Sequence, residues 1–401
     1  MMKWSKWTKM FIYPCLLRKK ILLLRNNVSV MNSKKILMAM SGGIDSSIAA
    51  MILKNQGYSL IGATYRTFDQ ISDSCLAKEK GCCSVDSIFE AKALAESMGF
   101  PHHILDIREE FKSSVIADFI EEYMHGRTPN PCVVCNSNIK WGKLMEIAAE
   151  LGCDTIATGH YARISKTDEG RYFLQCGVDL AKDQTYFLWK LSQYDLAHTV
   201  FPLGNLTKPE VRKMAFDAGY EKLSKKGESQ EICFIPDNDY RHFLSENVKD
   251  FDKLCKYGNF VDPSGKIIGK HKGFPNYTIG QRKGLGVAFG EPRFVININA
   301  ERNEVMLGTR EDLQSHYCYV NQLNMMKYAD FTDGFEVAVK VRYRSKAALA
   351  RLFHHADGIA RVEFVDLIDS ITPGQSAVFY TGDDFVDVLG GGVIIANSVV
   401  E

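Results

Sequence analysis

Short apolar runs alternate with longer runs of helical periodicity between Lys34 and about His160. The apolar runs predict buried strands over Ile36–Met40, Ser59–Tyr65, His103–Ile107 and Thr155–Thr158. Apolar side chains recur at helical spacing over Ser47–Asn55, Ser87–Met98, Glu109–Met124 and Lys140–Leu151. Strands that alternate with helices in this way predict an α/β fold with a parallel sheet flanked by helices.

The pattern changes after about Pro236 to short strands of alternating polarity separated by turn residues. Strands are predicted over Phe260–Lys266, Phe294–Asn299, Glu304–Leu307, Glu336–Tyr343, Ile359–Phe364 and Ser376–Tyr380. The second half is therefore predicted to be all-β. A chain of 401 residues is long enough for two or three domains.

Composition and charge restrict the class of protein and of partner. With 46% hydrophobic and 24% charged residues, the chain is predicted to fold as a globule. Lys plus Arg (49) nearly balances Asp plus Glu (48), but nine basic residues and no acidic one fall in the first 40 positions. The remainder is acidic overall, so a nucleic-acid partner has to be bound by local basic patches.

The first 33 residues are interpreted as an extension outside the fold. Met1–Val30 is basic and acid-free, and its apolar stretches are too short to span a membrane. Met31 is a plausible start, so the segment is read as disordered or as a mis-annotated start, with a targeting signal as the alternative. The eleven cysteines accompany no secretory signal, which favours reduced thiols and a cytoplasmic location.

The loop Ser41–Ser47 follows the first predicted strand and leads directly into a helix. Backbone N–H groups of such a loop converge with the helix N-terminus, which predicts an anion site. Gly42 and Gly43 permit the close backbone approach that an anion cradle needs. No lysine follows, so the loop is not the P-loop that binds β/γ-phosphates. The alternative is an ordinary glycine-rich turn.

The sequence Ser-Gly-Gly-Ile-Asp-Ser-Ser after a first strand resembles the pyrophosphate loop of the ATP pyrophosphatase (PP-loop) superfamily. Members of that superfamily split ATP between the α- and β-phosphates and adenylate a substrate. The resemblance implies a binding site for ATP with Mg²⁺, lined by Ala39, Met40, Ser41, Gly42, Gly43, Ile44, Asp45 and Ser46. It also implies that Tyr65 contacts the nucleotide and that Gly159 lies near adenine.

Two cysteines are candidate nucleophiles. Cys135 ends a proline-punctuated loop, just before Asn136, the predicted N-cap of a helix that begins near Ser137. A helix N-terminus stabilises a thiolate, which is the reactive form of cysteine. Cys233 follows the basic segment Lys222–Lys226, and nearby cations also favour a thiolate.

These cysteine segments, together with Lys182–Leu188 and Thr278–Gly286, resemble the tRNA-uridine 2-sulfurtransferase (2-thiouridylase) family from about Lys34 to the C-terminus. The resemblance implies three parts. They are a PP-loop ATP-binding domain over residues 34–236, a small central domain over 237–309 and a C-terminal β-barrel over 310–401.

The family resemblance also implies a reaction and its residues. ATP adenylates the C2 oxygen of the anticodon wobble uridine, and sulfur then replaces it to give 2-thiouridine, AMP and pyrophosphate. Cys135 matches the nucleophile and Cys233 the persulfide carrier, which form a disulfide with each other. Positions that match tRNA contacts are Asn130, Pro131, Cys132, His160, Lys182, Asp183, Gln184, Arg342, Tyr343 and Gln375. The implied partners are tRNAs for Lys, Glu and Gln, and a cysteine desulfurase or persulfide carrier as sulfur donor.

Cys132 departs from the family pattern, in which many members carry an aspartate at this position. The pair Cys132 and Cys135 with the distant Cys233 is a possible ligand set for a [4Fe–4S] cluster with one open iron, which is the alternative to a persulfide relay. Zinc is a further option. A second metal is an alternative for Cys75, Cys82 and Cys83.

Basic and aromatic residues outside the motifs are candidates for holding RNA. Phosphate contacts are predicted for Arg282, Lys283, Arg342, Arg344, Lys346 and Arg351, and base stacking for Tyr343, Phe187 and Trp141. Two other readings stay open: a different PP-loop adenylating enzyme, or a non-catalytic tRNA- or metal-binding protein.

Overall fold

A computed structural model describes residues 35–67, 85–227, 232–286, 290–355 and 358–397. Its N-terminal part contains a five-stranded parallel sheet in the order β3-β2-β1-β4-β7. The strands are β1 Lys35–Ala39, β2 Ser59–Arg66, β3 His102–Asp106, β4 Thr155–Ala157 and β7 Thr199–Val200. Both faces of β1 are buried, since neighbours Leu37 and Met38 point to opposite faces and neither is exposed. The predicted parallel sheet is confirmed.

Helices cover this sheet. They are α1 Ile44–Asn55, α2 Val85–Ser97, α5 Gln193–Ala197, α6 Lys208–Asp217 and α7 Glu221–Lys225, together with two longer helices, α3 and α4. Each of these longer helices has a π-helical middle: α3 consists of Arg108–Phe111, Lys112–Ile116 and Ala117–Met124, and α4 of Pro131–Val134, Cys135–Lys143 and Leu144–Glu150. An antiparallel hairpin of β5 Ala162–Lys166 and β6 Tyr172–Cys176 follows β4.

The start of α4 differs from the prediction. The helix begins at Pro131 with Asn130 as its N-cap, so Cys135 lies in the second turn and not before an N-cap at Asn136. Proline is favourable in the first turn because its fixed φ suits the helix and its missing N–H is not needed there. Cys132, the second helical residue, is therefore the cysteine at the helix N-terminus.

The central part contains two helices and a four-stranded sheet. Helices α8 Tyr240–Asn247 and α9 Phe251–Leu254 come after Pro236, so the prediction that everything beyond this residue is all-β is wrong. Asp239 starts α8 because its carboxylate accepts the N–H groups of Arg241 and His242. The sheet has the order β10-β11-β8-β9, from β8 Gly258–Val261, β9 Ile267–His271, β10 Phe294–Asn299 and β11 Glu304–Gly308.

The C-terminal part is a closed six-stranded barrel in the order β12-β15-β14-β13-β16-β17. Its strands are β12 Gln314–Met325, β13 Phe335–Lys340, β14 Ala348–His354, β15 Ala360–Asp369, β16 Ser376–Tyr380 and β17 Val388–Ile395. The barrel expected from the family resemblance is confirmed. Its wall joins the first domain, because Val378 and Tyr380 belong to the same buried cluster as Leu37, Trp141 and Trp189.

Candidate active site

The loop after β1 is shaped by one close backbone approach. Gly42 has φ +68°, and a Cβ atom there would lie 2.3 Å from the carbonyl oxygen of Ser87. The hydroxyl groups of Ser46 and Ser47 donate to the carbonyl oxygen of Gly43 at 3.1 and 2.9 Å, and Ser46 Oγ accepts from the Ser41 N–H at 3.1 Å. These bonds fix a tight turn at the helix N-terminus, the geometry that binds phosphate.

The acidic residue of the loop is held by a buried cation. Both carboxylate oxygens of Asp45 lie 2.8 Å from Lys208 Nζ, and the Tyr161 hydroxyl donates to the same carboxylate at 2.8 Å. Lys208 is only 5% exposed. It was not predicted as a site residue. The capping box of Thr207 and Glu210 indicates a helix start there, but no sequence signal shows that this helix faces the loop.

The end of β4 packs directly against the loop. A Cβ at Gly159 would lie 2.7 Å from the backbone nitrogen of Ser46, so only glycine fits here. Next to it, the hydroxyl of Thr158 and Nδ1 of His160 are 2.7 Å apart. Strand ends β1 and β4 flank the point where the strand order reverses, which is where open α/β sheets bind ligands.

His160 is a neutral ring next to a lysine. Lys140 Nζ lies 3.4 Å from His160 Nε2. Desolvation of the ring, together with this positive charge, holds the pKa of His160 well below its ordinary value. The charge of Lys140 also acts on Cys132. The ammonium of Lys140 is thus shared between the end of β4 and the first turn of α4, and sequence reasoning did not identify it.

The two predicted sulfur-handling cysteines pack on one apolar cluster. Cys135 and Cys233 are both half-buried, and both contact the core that contains Phe111, Phe119 and Phe234. Cys132 is exposed at the start of α4. The seven cysteines within the described ranges are free thiols, and Cys153, Cys176, Cys255 and Cys318 are buried. The Cys135–Cys233 disulfide stays a prediction for a later stage of the reaction.

Tyr65, predicted to contact the nucleotide, lies beside Cys135. Its hydroxyl is buried and has no hydrogen-bond partner. Burial raises the pKa of Tyr65 well above its ordinary value, and the charge of Cys135 adds to this increase. The phenol therefore stays protonated at neutral pH, and Tyr65 brings the end of β2 next to Cys135.

The expected metal centre does not fit. In the part of the chain that the structure describes, no three His, Cys, Asp or Glu side chains are grouped so that they would hold a metal ion. Cys132, Cys135 and Cys233 all lie in that part. Their arrangement thus supports neither the [4Fe–4S] nor the zinc alternative. Cys75, Cys82 and Cys83 lie outside the described residues, as does the segment 1–33.

Several predicted tRNA contacts also make internal contacts. Asp183 is buried and accepts from the Gly177 N–H at 3.1 Å and the Thr185 hydroxyl at 2.7 Å. Burial raises the pKa of Asp183. Gln184 Oε1 accepts from the Tyr161 N–H at 2.9 Å. These residues shape the site from inside, and their contact with tRNA stays a prediction.

Two predicted tRNA contacts in the barrel, Arg342 and Gln375, also make internal hydrogen bonds. The guanidinium of Arg342 donates to the carbonyl oxygen of Ile279 at 3.1 Å and to the Thr372 hydroxyl. Gln375 Nε2 donates to the carbonyl oxygens of Thr128 and Pro129 at 3.1 and 2.9 Å. Both side chains connect the barrel to other parts of the molecule, and their tRNA contacts stay predictions.

Exposure separates the stacking and phosphate candidates. Trp141 is 2% exposed and its indole N–H donates to Thr199, so the prediction of a stacking platform there is wrong. Phe187 and Tyr343 are half-buried, with ring centroids 4.5 Å apart. The basic residues Arg282, Lys283, Arg344, Lys346 and Arg351 are all exposed, and Arg351 is paired with Glu336 at 2.9 Å. None of the described helices is long and apolar enough to cross a membrane.

Three family models match consecutive parts of the chain. They are described as a tRNA methyl transferase HUP domain (residues 34–237), a tRNA methyl transferase PRC-barrel domain (241–309) and an aminomethyltransferase beta-barrel domain (315–394).

Curated relatives match over almost their whole length. The chain is 50% identical over 368 residues to the tRNA-specific 2-thiouridylase MnmA of Amoebophilus asiaticus, covering 92% of this chain and 96% of that protein. It is 48% identical over 361 residues to the same-named protein of Cytophaga hutchinsonii, covering 90% and 97%. Identity of 50% and 48% over 92% and 90% of the chain means that the chain belongs to the tRNA-specific 2-thiouridylase family.

Proposed function

We propose that the chain adenylates the C2 oxygen of the wobble uridine in tRNA and then transfers sulfur to C2 through Cys135 and Cys233. Membership of the family makes the chain an ATP-dependent tRNA-uridine 2-sulfurtransferase. The observation that carries the proposed sulfur step is the packing of Cys135 and Cys233 on one apolar cluster.

The first step uses the loop between β1 and α1. The C2 oxygen of uridine is a poor leaving group until it becomes an AMP ester, so ATP acts here as an activator. The N–H groups at the start of α1 favour the negative charge of the triphosphate and of the departing pyrophosphate. Magnesium enters with the substrate phosphates, which supply most of its ligands in sites of this kind.

The second step moves sulfur between the cysteines. A donor leaves a persulfide on Cys233, and the thiolate of Cys135 attacks the Cys233 sulfur. The sulfur–sulfur bond of the persulfide breaks and the outer atom leaves as hydrosulfide with the electron pair. Hydrosulfide attacks C2 and displaces AMP, while Cys135 and Cys233 are left as a disulfide. An external thiol reductant then supplies two electrons to restore both thiols.

This scheme needs the two sulfur atoms to meet. Both cysteines are half-buried. A disulfide requires Cα atoms within about 7 Å. The common apolar cluster under Ile232 and Val134 holds both segments on one surface, which supports such an approach.

The experiment separates activation from sulfur transfer. Purified protein is given ATP, Mg²⁺, unmodified tRNA with a wobble uridine, and a persulfide donor, and both pyrophosphate release and 2-thiouridine are measured. Cys233→Ala is expected to keep tRNA-dependent pyrophosphate release and to lose thiolation. Thiolation that persists in Cys233→Ala would refute the role of this residue. A protein that binds tRNA without releasing pyrophosphate would instead be a non-catalytic binder.

We also propose specific tRNA acceptors and a class of sulfur donor, on the basis of family membership. The acceptors would be the tRNAs for Lys, Glu and Gln, and the donor a cysteine desulfurase or a persulfide carrier. Presenting each tRNA singly in the same assay tests the acceptors, and exchanging the donor protein tests the second partner.

A further inference from the structure

The loop that precedes the catalytic helix α4 is held from the barrel. Thr128 and Pro129 come just before the N-cap Asn130, and the side-chain amide of Gln375 donates to both of their carbonyl oxygens, at 3.1 and 2.9 Å. The N–H of Thr128 in turn donates to the carbonyl oxygen of Pro373 at 2.9 Å. Three hydrogen bonds therefore connect two consecutive residues of one domain to a single turn of another.

The barrel side of this contact is itself fixed. The N–H of Gly374 donates to the Ile394 carbonyl oxygen, and the Ile394 N–H donates back to Gln375, so the turn is tied to strand β17. Gly374 has φ +90°, and a Cβ there would lie 2.7 Å from the carbonyl oxygen of Thr128. The turn and the loop are thus in backbone contact, with no room for a side chain between them.

The loop of Thr128 and Pro129 is connected directly to the helix that carries the cysteines. The carbonyl oxygen of Asn130 accepts from the N–H of Val133 at 3.1 Å, which starts the helix that carries Cys132 and Cys135. Within its own domain the loop is anchored beside Arg127, whose guanidinium is paired with Glu122. Any displacement of Thr128 and Pro129 therefore moves the first turn of the helix.

We propose that Gln375 is a positioning residue that sets the start of α4, and hence the place of Cys132 and Cys135, from the β-barrel. The proposal rests on the proposed function and goes beyond a tRNA contact of Gln375, because the amide N–H groups face the loop. Small displacements of a reacting group, on the order of 1 Å, lower rates by about 100-fold.

The consequence is a link between the barrel and the reaction centre. The same turn leads into Ser376, whose carbonyl oxygen accepts from the Tyr186 hydroxyl at 3.0 Å and whose hydroxyl accepts from the Trp189 indole at 2.9 Å. The barrel therefore positions both the catalytic loop and the segment after Gln184. An RNA that binds the barrel is held in a fixed relation to the cysteines.

The test removes the hydrogen-bond donor of the Gln375 side chain and keeps the length of that side chain. Gln375→Glu has the same length and keeps oxygen acceptors, but it cannot donate to the two carbonyl oxygens, whereas Gln375→Ala removes the side chain. The matched control is Gln314→Ala. This variant removes a barrel glutamine that lies away from the loop and whose side-chain amide donates to the Asp369 carboxylate at 2.9 Å. Steady-state thiolation gives kcat and the KM for tRNA, and hydrogen exchange over residues 126–134 reports on the loop without tRNA or ATP.

Both Gln375 variants are expected to lower kcat at saturating tRNA by about 10- to 100-fold. Their KM for tRNA should stay within about threefold, with at least tenfold faster exchange over 126–134. Gln314→Ala should leave all three values unchanged. A raised KM with unchanged kcat, or unchanged exchange over 126–134, overturns the proposal. If wild-type protein does not thiolate tRNA, the proposed function fails, and hydrogen exchange over 126–134 still tests whether Gln375 holds the loop.

Discussion

The phosphate loop and the cysteine centre are built in opposite ways. The loop is nearly contiguous: Ser41 to Ser47 form its turn, and the hydroxyls of Ser46 and Ser47 bond within it. The cysteine centre joins the second turn of α4, the distant Cys233, and a barrel turn that holds the preceding loop. The turn of the loop is built mainly from local bonds, with the distant Ser87 and Lys208 packed around it. The cysteine centre, in contrast, exists only when all three parts of the molecule are folded.

The largest expected effect is on the assembled centre. Cys135→Ser should lower thiolation more than about 1,000-fold, because a hydroxyl cannot replace the thiolate that attacks the Cys233 sulfur and releases hydrosulfide. The Cys135→Ser variant should leave tRNA-dependent pyrophosphate release intact, since the phosphate loop Ser41–Ser47 does not depend on the thiol. Liquid-chromatography analysis of digested tRNA measures 2-thiouridine, and Cys153→Ala, at a buried cysteine, is the control. Loss of pyrophosphate release as well would show that the two regions are not separable.

The next effect is on the loop. Gly42→Ala should weaken ATP binding by about 100-fold, because its Cβ would meet the Ser87 carbonyl oxygen at 2.3 Å and open the turn. Gly57→Ala is the matched control: φ is +90°, but nothing lies within 4 Å of the added Cβ. It should cost about 1 kcal/mol of stability and leave ATP affinity unchanged. Isothermal titration with a non-hydrolysable ATP analogue measures the ATP affinity of both variants. Equal losses of affinity in Gly42→Ala and Gly57→Ala would contradict the argument from crowding.

A moderate effect is expected where the local loop meets a distant helix. Lys208→Met should weaken ATP binding by about 10- to 50-fold, because the uncompensated carboxylate of Asp45 would repel the triphosphate. Adding Asp45→Asn should restore part of the affinity. Lys213→Met removes an exposed pair with Asp217 on the same helix and serves as control. No recovery in the double variant would mean that Lys208 acts on ATP directly.

The smallest effect is a pH dependence of stability away from both regions. Desolvation lowers the pKa of His102 and of His271 to about 4, so each is neutral in the folded protein. The unfolded chain binds protons below about pH 6.5, hence stability is present above that pH and is lost as the pH falls from 6.5 towards 4. Each histidine should contribute about 1–2 kcal/mol to this loss. Urea unfolding at pH 7.5 and 5.0 measures it, and a variant with His271→Gln that keeps the full pH dependence would contradict the assignment.

The N-terminal sheet was predictable because its strands are short apolar runs between helices. β1 and β2 lie where the pattern placed them, and Phe294–Asn299 and Ser376–Tyr380 were predicted with their observed bounds. Less regular elements were missed. The helices α8 and α9 fall in a stretch that reads as a transition to strands, and β12 and β17 have no clear alternation over their full lengths.

Within the site, the sequence indicated residues but not their partners. Cys135, Cys233 and the loop were found from motifs, while Lys208 and Lys140 were not, because a single lysine on a helix has no distinctive pattern. The start of α4 was placed too late, since Pro131 and Cys132 read as part of a loop. The structure puts Cys132 at the exposed helix start and Cys135 one turn further, against the aromatic cluster.

Local chemistry explains what the sequence determined alone: strand and helix periodicity, the anion-binding turn at Gly42, and the family with its reaction. Those features depend on neighbouring residues, whose spacing is fixed by the covalent chain. Only the tertiary structure decided that Lys208 neutralises Asp45, that Trp141 is buried, and that Gln375 holds the loop before α4. These contacts join residues far apart in sequence, and their geometry is set by how the sheet, the helices and the barrel pack against one another.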